Sequence, residues 1–355
     1  IKARRRENYA REGFVTVGLS WVLLSVFGAL PFCLSGAVPS FVDAFFETVS
    51  GFTTTGASVI ADVEALPVSL LYWRSFTVWL GGMGVLVFVL AVSPMANGDS
   101  GDALHLLRAE SPGVNVGKLV PRMRRSTTIL YLIYIGLTVL MFVLLIFDMP
   151  FFDALTTAFA TAGTGGFGIK NASIAAYQSH YLQTVIAVFM MLFGVNFNVY
   201  YFILIGKGAQ ALKGEEFRAY IGMVIAGTLM IALNILPLYG NSFAQALHQS
   251  FFQVSSIIST TGFATADFDK WPEFSRMILM ALLISGASAG STAGGIKVAR
   301  IVMLFKGLKA EVMRAVKPRR VVTICMDGKR IDASVMRGTY GYVAAFVAIC
   351  AASML

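Results

Sequence analysis

Threonine and glycine recur in three short segments whose chemistry is that of clustered oxygen. They read Thr53-Thr54-Thr55-Gly56-Ala57-Ser58, Gly163-Thr164-Gly165-Gly166-Phe167-Gly168 and Ser259-Thr260-Thr261-Gly262-Phe263-Ala264. Glycine admits the backbone angles that turn successive carbonyl oxygens to one side, and it has no side chain to fill the space between them. Threonine adds a hydroxyl oxygen. Carbonyls gathered around an axis can replace the hydration shell of a monovalent cation. The predicted cation ligands are Thr54, Thr55 and Gly56; Thr164, Gly165 and Gly166; and Thr260, Thr261 and Gly262. The backbone at Thr55, Gly56, Gly165, Gly166, Thr261 and Gly262 is nearest the ion.

The segments align without gaps. Asp43-Ala44, Asp153-Ala154 and Gln249-Ser250 each begin 13 residues before a glycine: Gly56, Gly166 and Gly262. Phe45-Phe46 then matches Phe251-Phe252, and Phe167 matches Phe263. A slip of one residue would put Gly165 in place of Gly166. One Thr-Gly turn is an ordinary link between helices. Three in register, about 100 residues apart, are the turns of a repeated pore loop.

Such turns need helices on both sides. The chain is 57% hydrophobic and 13% charged, more apolar surface than a soluble protein of 355 residues can hide. Apolar spans are predicted at 14–35, 69–94, 126–148, 180–205, 219–239, 276–317 (interrupted) and 338–355. Between them lie 39–52, 151–162 and 243–258. These are too short to cross a bilayer and read as re-entrant helices. Their negative C-terminal ends should face the turns and favour a cation there. The expected fold is an all-α polytopic membrane protein of repeated span, pore helix, filter and span. It divides into an N-terminal flank (1–13), a first repeat (14–95), a loop (96–125), a second repeat (126–206), a loop (207–218), a third repeat (219–317), a hairpin segment (318–337) and the start of a fourth repeat (338–355). The fourth filter would fall beyond Leu355, and a first residue of Ile also reads as that of a fragment.

The net charge is +9, yet 24 of the 28 basic residues sit at 2–11, 108–125, 207–218 and 297–337. That alternation argues against nucleic acid. It fits basic segments on the cytoplasmic side of a membrane, with lipid as the surrounding partner. The three cysteines suggest no disulfide framework or zinc site, and His105, His180 and His248 have no ligand spacing. Gly163–Gly168 formally matches a dinucleotide fingerprint but lacks the soluble strand–turn–helix setting. An intramembrane protease would want a Ser/His pair, and no His lies at a span centre, so no enzyme activity is expected.

Residues 286–295 interrupt the sixth span with four glycines and two serines, which make poor continuous helix. Two readings stand: a small-residue packing face, or a non-helical loop that obstructs the path. In the second, Gly286, Gly290, Ser291, Thr292, Gly294 and Gly295 form a gate, and Lys297 either repels cations or anchors the span. Glu47 is a candidate support for the filter or a local hydrogen-bonding group. Asn196 and Asn198 either face the pore or bond between helices. Asp327-Gly328 between Val/Ile/Thr runs predicts a β-hairpin.

The filter segments TTTGAS, AGTGGFG and STTGFA, together with SGASAGSTAGGIK in span six, resemble the Trk/Ktr/HKT superfamily of potassium transporters. The whole chain is similar to its bacterial TrkH branch. That resemblance implies K⁺ uptake through a pseudo-fourfold pore, either channel-like or as a Na⁺- or H⁺-coupled symporter. Glycine at the filter position of all repeats goes with K⁺ preference there. The resemblance also implies two further N-terminal helices before Ile1, a homodimer with a pore in each protomer, and a gating loop at 286–295. A cytosolic TrkA-type nucleotide-binding ring would dock near the hairpin and supply the only nucleotide.

Overall fold

The computed structural model describes residues 10–82, 84, 123–317 and 323–353. Most of the second half of the second predicted span, most of the loop at 96–125, and His105 lie outside the described residues. The helices are α1 (Ala10–Leu34), α2 (Phe41–Phe52), α3 (Val68–Gly82), α4 (Met123–Leu145), α5 (Phe151–Ala162), α6 (His180–Phe193), α7 (Phe197–Leu204), α8 (Gly208–Leu212), α9 (Glu215–Ile235), α10 (Phe243–Ile258), α11 (Glu273–Ser285), α12 (Val298–Val316) and α13 (Ala333–Ser353).

Start and stop signals explain the short helices. Ser40 caps α2 by accepting from the Asp43 N–H, and Ser179 caps α6 by accepting from the Leu182 N–H. Pro150 and Pro272 stand just before α5 and α11. α2, α5 and α10 each end four residues before the glycine of the turn that follows.

Each repeat has its own apolar core. Ala29, Phe32, Ala44 and Leu70 hold the first. Tyr134, Met141, Ala158, Leu182 and Phe193 hold the second. Tyr220, Val224, Val254, Ile258 and Leu282 hold the third. The outer faces stay apolar: Leu19, Leu23, Phe27 and Leu34 of α1 are all more than half exposed. Among the described residues, three helical stretches, Thr128–Leu145, Glu215–Tyr239 and Val335–Ser353, are long and apolar enough to cross a membrane.

The structure refines two of the predicted spans. Residues 180–205 are not one straight helix. α6 and α7 meet at 91°. Gly194 closes α6, and Asn196 opens α7 by accepting from the Asn198 N–H at 3.0 Å. The sixth span is broken over 286–297, between α11 and α12.

The predicted hairpin is present, so the fold carries a small antiparallel sheet. β1 (Cys325–Met326) pairs with β2 (Lys329–Arg330), Cys325 opposite Arg330 and Met326 opposite Lys329. Asp327 and Gly328 both have positive φ, 50° and 74°, as a two-residue type I′ turn requires.

Candidate functional site

The three Thr/Gly turns have one backbone. Thr54, Thr164 and Thr260 have φ of 54°, 56° and 55°. Two residues later Gly56, Gly166 and Gly262 have φ of 75°, 64° and 87°. Gly166, not Gly165, therefore stands in register with the other two. The hydrogen bonds repeat as well. Gly56 N–H donates to Ser50 O at 3.5 Å, Gly166 N–H to Ala160 O at 3.4 Å, and Gly262 N–H to Ser256 O at 3.4 Å. Thr54, Thr164 and Thr260 N–H each donate at 3.0 Å to the carbonyl three residues back. Each helix end is thus wrapped by the turn that leaves it. A β-branched residue at positive φ is strained by ~1–3 kcal/mol. The same strain at three equivalent threonines marks a site where backbone direction matters.

The turns lie side by side in chain order. A Cβ added to Gly56 would run into the Gly165 carbonyl, and one added to Gly166 would run into the Thr261 carbonyl. Side chains differ more than backbones do. Thr53 and Thr55 hydroxyls bond at 2.9 Å, and Ser259 and Thr261 hydroxyls at 2.7 Å. The second turn has Gly163 and Gly165 at those positions.

Buried bonds tie neighbouring repeats together. Arg74 Nε donates to Glu47 Oε1 at 2.7 Å, with side chains 3% and 0% exposed. Arg74 also donates to the Gly168 carbonyl at 3.1 Å and to Ser58 Oγ at 3.3 Å, and its guanidinium stacks 4.3 Å from the Phe167 ring centre. Glu47 further accepts from Ser58 Oγ–H and the Val59 N–H. One ion pair thereby fixes the tails of the first and second turns. Asn171 joins the same two repeats further out, donating to Asp62 at 2.7 Å and to Glu64 at 3.1 Å. The Asn171 hydrogen bond holds the Asp62 carboxyl below its usual range. Ala175 N–H to Ala264 O, at 3.0 Å, links the second repeat to the third.

The two broken spans meet each other. The break after α6 frees a row of carbonyls, and each finds a donor. Tyr220 Oη–H bonds Met191 O at 3.0 Å, Tyr200 Oη–H bonds Leu192 O at 2.7 Å, Thr292 Oγ1–H bonds Phe193 O at 3.3 Å, and Ser288 N–H bonds Gly194 O at 3.0 Å. In return Gly290 O accepts from the Phe197 N–H at 3.1 Å. Gly286, Gly290, Gly295 and Lys297 all have positive φ. The loop also reaches the third turn: Gly294 N–H donates to Thr260 Oγ1 at 2.8 Å. Lys297 Nζ turns back onto the Ala293 carbonyl.

The profile of the TrkH family, described as a cation transport protein, matches residues 1–355. The chain belongs to the TrkH family. It is 36% identical over its whole length to the Trk system potassium uptake proteins TrkH of Salmonella typhimurium and of Escherichia coli, covering 74% of each. The crystal structure of the potassium transporter TrkH from Vibrio parahaemolyticus superposes with a TM-score of 0.84 at 33% identity, over 98% of this chain and 72% of that one. The TrkH family is one of cation transporters rather than enzymes, and the chain is a multi-pass membrane protein. Among the described residues, no group of three or more acidic, histidine or cysteine side chains is placed to hold a metal.

On this TrkH-family scaffold, the predicted oxygen-bearing turns lie against one another, and the predicted loop bonds to the third of them at Thr260. Glu47 is in the buried pair with Arg74. Asn196 caps a helix and donates to Glu216 Oε2 at 3.4 Å. Sequence reasoning passed over two residues. Arg74 is one of the 4 basic residues that fall outside the four basic segments. Glu216, taken as part of the loop 207–218, lies in the first turn of α9 and accepts from the Ala289 N–H at 2.5 Å. An acid opening an apolar run was the available signal for it.

Proposed function

We propose that this protein carries K⁺ across the bacterial inner membrane through a filter made of the Thr54–Gly56, Thr164–Gly166 and Thr260–Gly262 backbones. The observation that supports this best is the threefold recurrence of one strained turn, each at the C-terminal end of a short helix. Positive φ at alternate residues lets carbonyls face a common axis, and the helix ends add negative potential there. The relatives named for potassium uptake support K⁺ as the ion.

The loop 286–297 is the gate in this reading. It hangs from the break in the fourth span, and it touches the third turn through Thr260. Lys297 adds a positive charge at its end. The basic segments face the cytoplasm, where the exposed hairpin residues Lys329 and Arg330 offer a docking surface to a nucleotide-binding regulatory subunit. A homodimer with one pore per protomer completes the arrangement.

The test is uptake of radioactive rubidium by liposomes containing the full-length protein, with K⁺ and Na⁺ as competitors. Uptake blocked by K⁺ at concentrations where Na⁺ has little effect is the expected result. Absence of uptake both with and without the regulatory subunit would sink the reading.

A further inference from the structure

We propose that Glu216 is the latch that holds the glycine-rich loop in place, and that the hairpin tip sets this latch through Asp327. The proposal rests on the reading of 286–297 as the gate.

Glu216 connects three elements with one carboxylate. Its Oε1 accepts from the Ala289 N–H at 2.5 Å, in the middle of the loop. Its Oε2 accepts from Asn196 Nδ2 at 3.4 Å, at the break between α6 and α7. Asn196 Oδ1 in turn stands 3.2 Å from where a Cβ on Gly290 would be. A charged acceptor makes a stronger bond to a backbone N–H than a neutral one does. Here that acceptor comes from a helix outside both broken spans. The position of the loop therefore depends on where the first turn of α9 lies.

That first turn is held by the hairpin. Asp327 Oδ1 accepts from the N–H of Glu215, the residue beside Glu216, at 2.7 Å. Lys306 pairs with the Glu215 carboxylate and donates to the Cys325 carbonyl at 2.7 Å. A second contact is apolar: Met326 of β1 is buried in a cluster with Ala289, Ala299, Met303 and Met336. The hairpin is thus tied to the loop through Glu215–Glu216, and Met326 shares an apolar cluster with Ala289. A force that draws the tip away would pull the α9 turn, withdraw the Glu216 carboxylate from Ala289, and free the centre of the loop. Glu216 acts by positioning the loop and need not touch the ion.

The experiment uses the full-length protein in liposomes, with native cysteines replaced and a single reporter cysteine at the half-buried Ser291. Two quantities are read: the rate of reporter modification by a charged maleimide, and rubidium uptake. Glu216→Ala should raise both by about tenfold. Glu216→Gln keeps an oxygen acceptor and should return both to within about threefold of the parent. Asp327→Ala should raise both in the parent and add nothing in the Glu216→Ala background. Shortening the loop within 287–294 serves as the control. If the shortened protein conducts faster but Glu216→Ala changes neither quantity, the latch falls and the gate stands. If the shortened protein folds and conducts as before, the gate reading falls and the latch with it. If the effects of Asp327→Ala and Glu216→Ala multiply, the tip does not act through Glu216. Should Glu216→Ala fail to reach the membrane, Glu216→Asp, with its shorter reach, is read in the same two ways and against the same outcomes.

Discussion

At the three Thr/Gly turns one hydrogen bond is made three times; where the fourth and sixth spans break, each bond is made once. Gly56, Gly166 and Gly262 all donate to the carbonyl six residues back. The freed carbonyls of Met191, Leu192, Phe193 and Gly194 are met instead by a different donor each: two tyrosines, a threonine and a backbone N–H. Repetition suits a site that must surround an ion with equivalent oxygens. On the proposed reading, a junction that must take up two arrangements gains from being singular, because its bonds can be exchanged without disturbing the proposed filter. The repeated part is fixed by the backbone and tolerates changes of side chain. The unique part is fixed by side chains together with single backbone bonds.

The buried pair Glu47–Arg74 tests that contrast most severely, because it is a side-chain device inside the repeated region. The positions equivalent to Glu47 are Thr157 and Gln253, and Gln253 makes a neutral bond to the Ala266 carbonyl at 3.1 Å. Arg74→Ala would strand a fully buried carboxylate, a loss of ~3–5 kcal/mol. The thermal unfolding midpoint in detergent should fall steeply. Gln253→Ala should lower it much less, as expected for loss of one neutral bond worth about 1 kcal/mol. Equal falls would mean that the three repeats are held alike, and that Glu47–Arg74 has no special part in aligning the first turn with the second.

A smaller effect, on selectivity rather than stability, is expected at Gly56. Its φ is +75°, and the Gly165 carbonyl occupies the place of a Cβ. A serine there must push one turn off its neighbour, so the oxygens of the proposed filter would no longer match one ion radius. Gly56→Ser should reduce discrimination between K⁺ and Na⁺ by roughly tenfold, which corresponds to about 1.4 kcal/mol. The measurement is the concentration of Na⁺ needed to halve rubidium uptake. Unchanged discrimination would take Gly56 out of the filter and leave the repeated turns as mere helix links.

The repeated region was the legible one. Segments 151–162 and 243–258, read from the sequence as too short to span, coincide with the helices Phe151–Ala162 and Phe243–Ile258. Local signals suffice there: a Pro or Ser before the helix, an apolar stripe within it, a glycine at fixed spacing after it. At the broken spans only half could be read. The glycines of 286–295 announce a loop, but its partner was hidden. Apolar residues run straight through Gly194-Val195-Asn196, and a membrane helix often tolerates a glycine and an asparagine, so nothing local marks a 91° bend. Arg74 and Glu216 escaped for a related reason. Their roles come from partners 27 and 73 residues away, and spacing within one helix carries no information about a group on another.

Tyr220→Phe probes the unique junction at its finest scale. The Tyr220 ring is fully buried, and its hydroxyl donates to the Met191 carbonyl beside the kink. Phenylalanine keeps the ring and removes only the donor. The loss should be about 1 kcal/mol, among the smallest of these effects, because the other carbonyls of the α6 end keep their own donors. It should appear as a shift of a few degrees in the unfolding midpoint, with the ratio of K⁺ to Na⁺ competition unaltered, since the bond lies in the third repeat's core and not at the turns. If Tyr220→Phe instead destabilises the protein as much as Arg74→Ala, the kink is as rigidly determined as the filter. A junction held that tightly could not exchange its bonds one at a time, and the division between a fixed ring and a movable break would have to be given up.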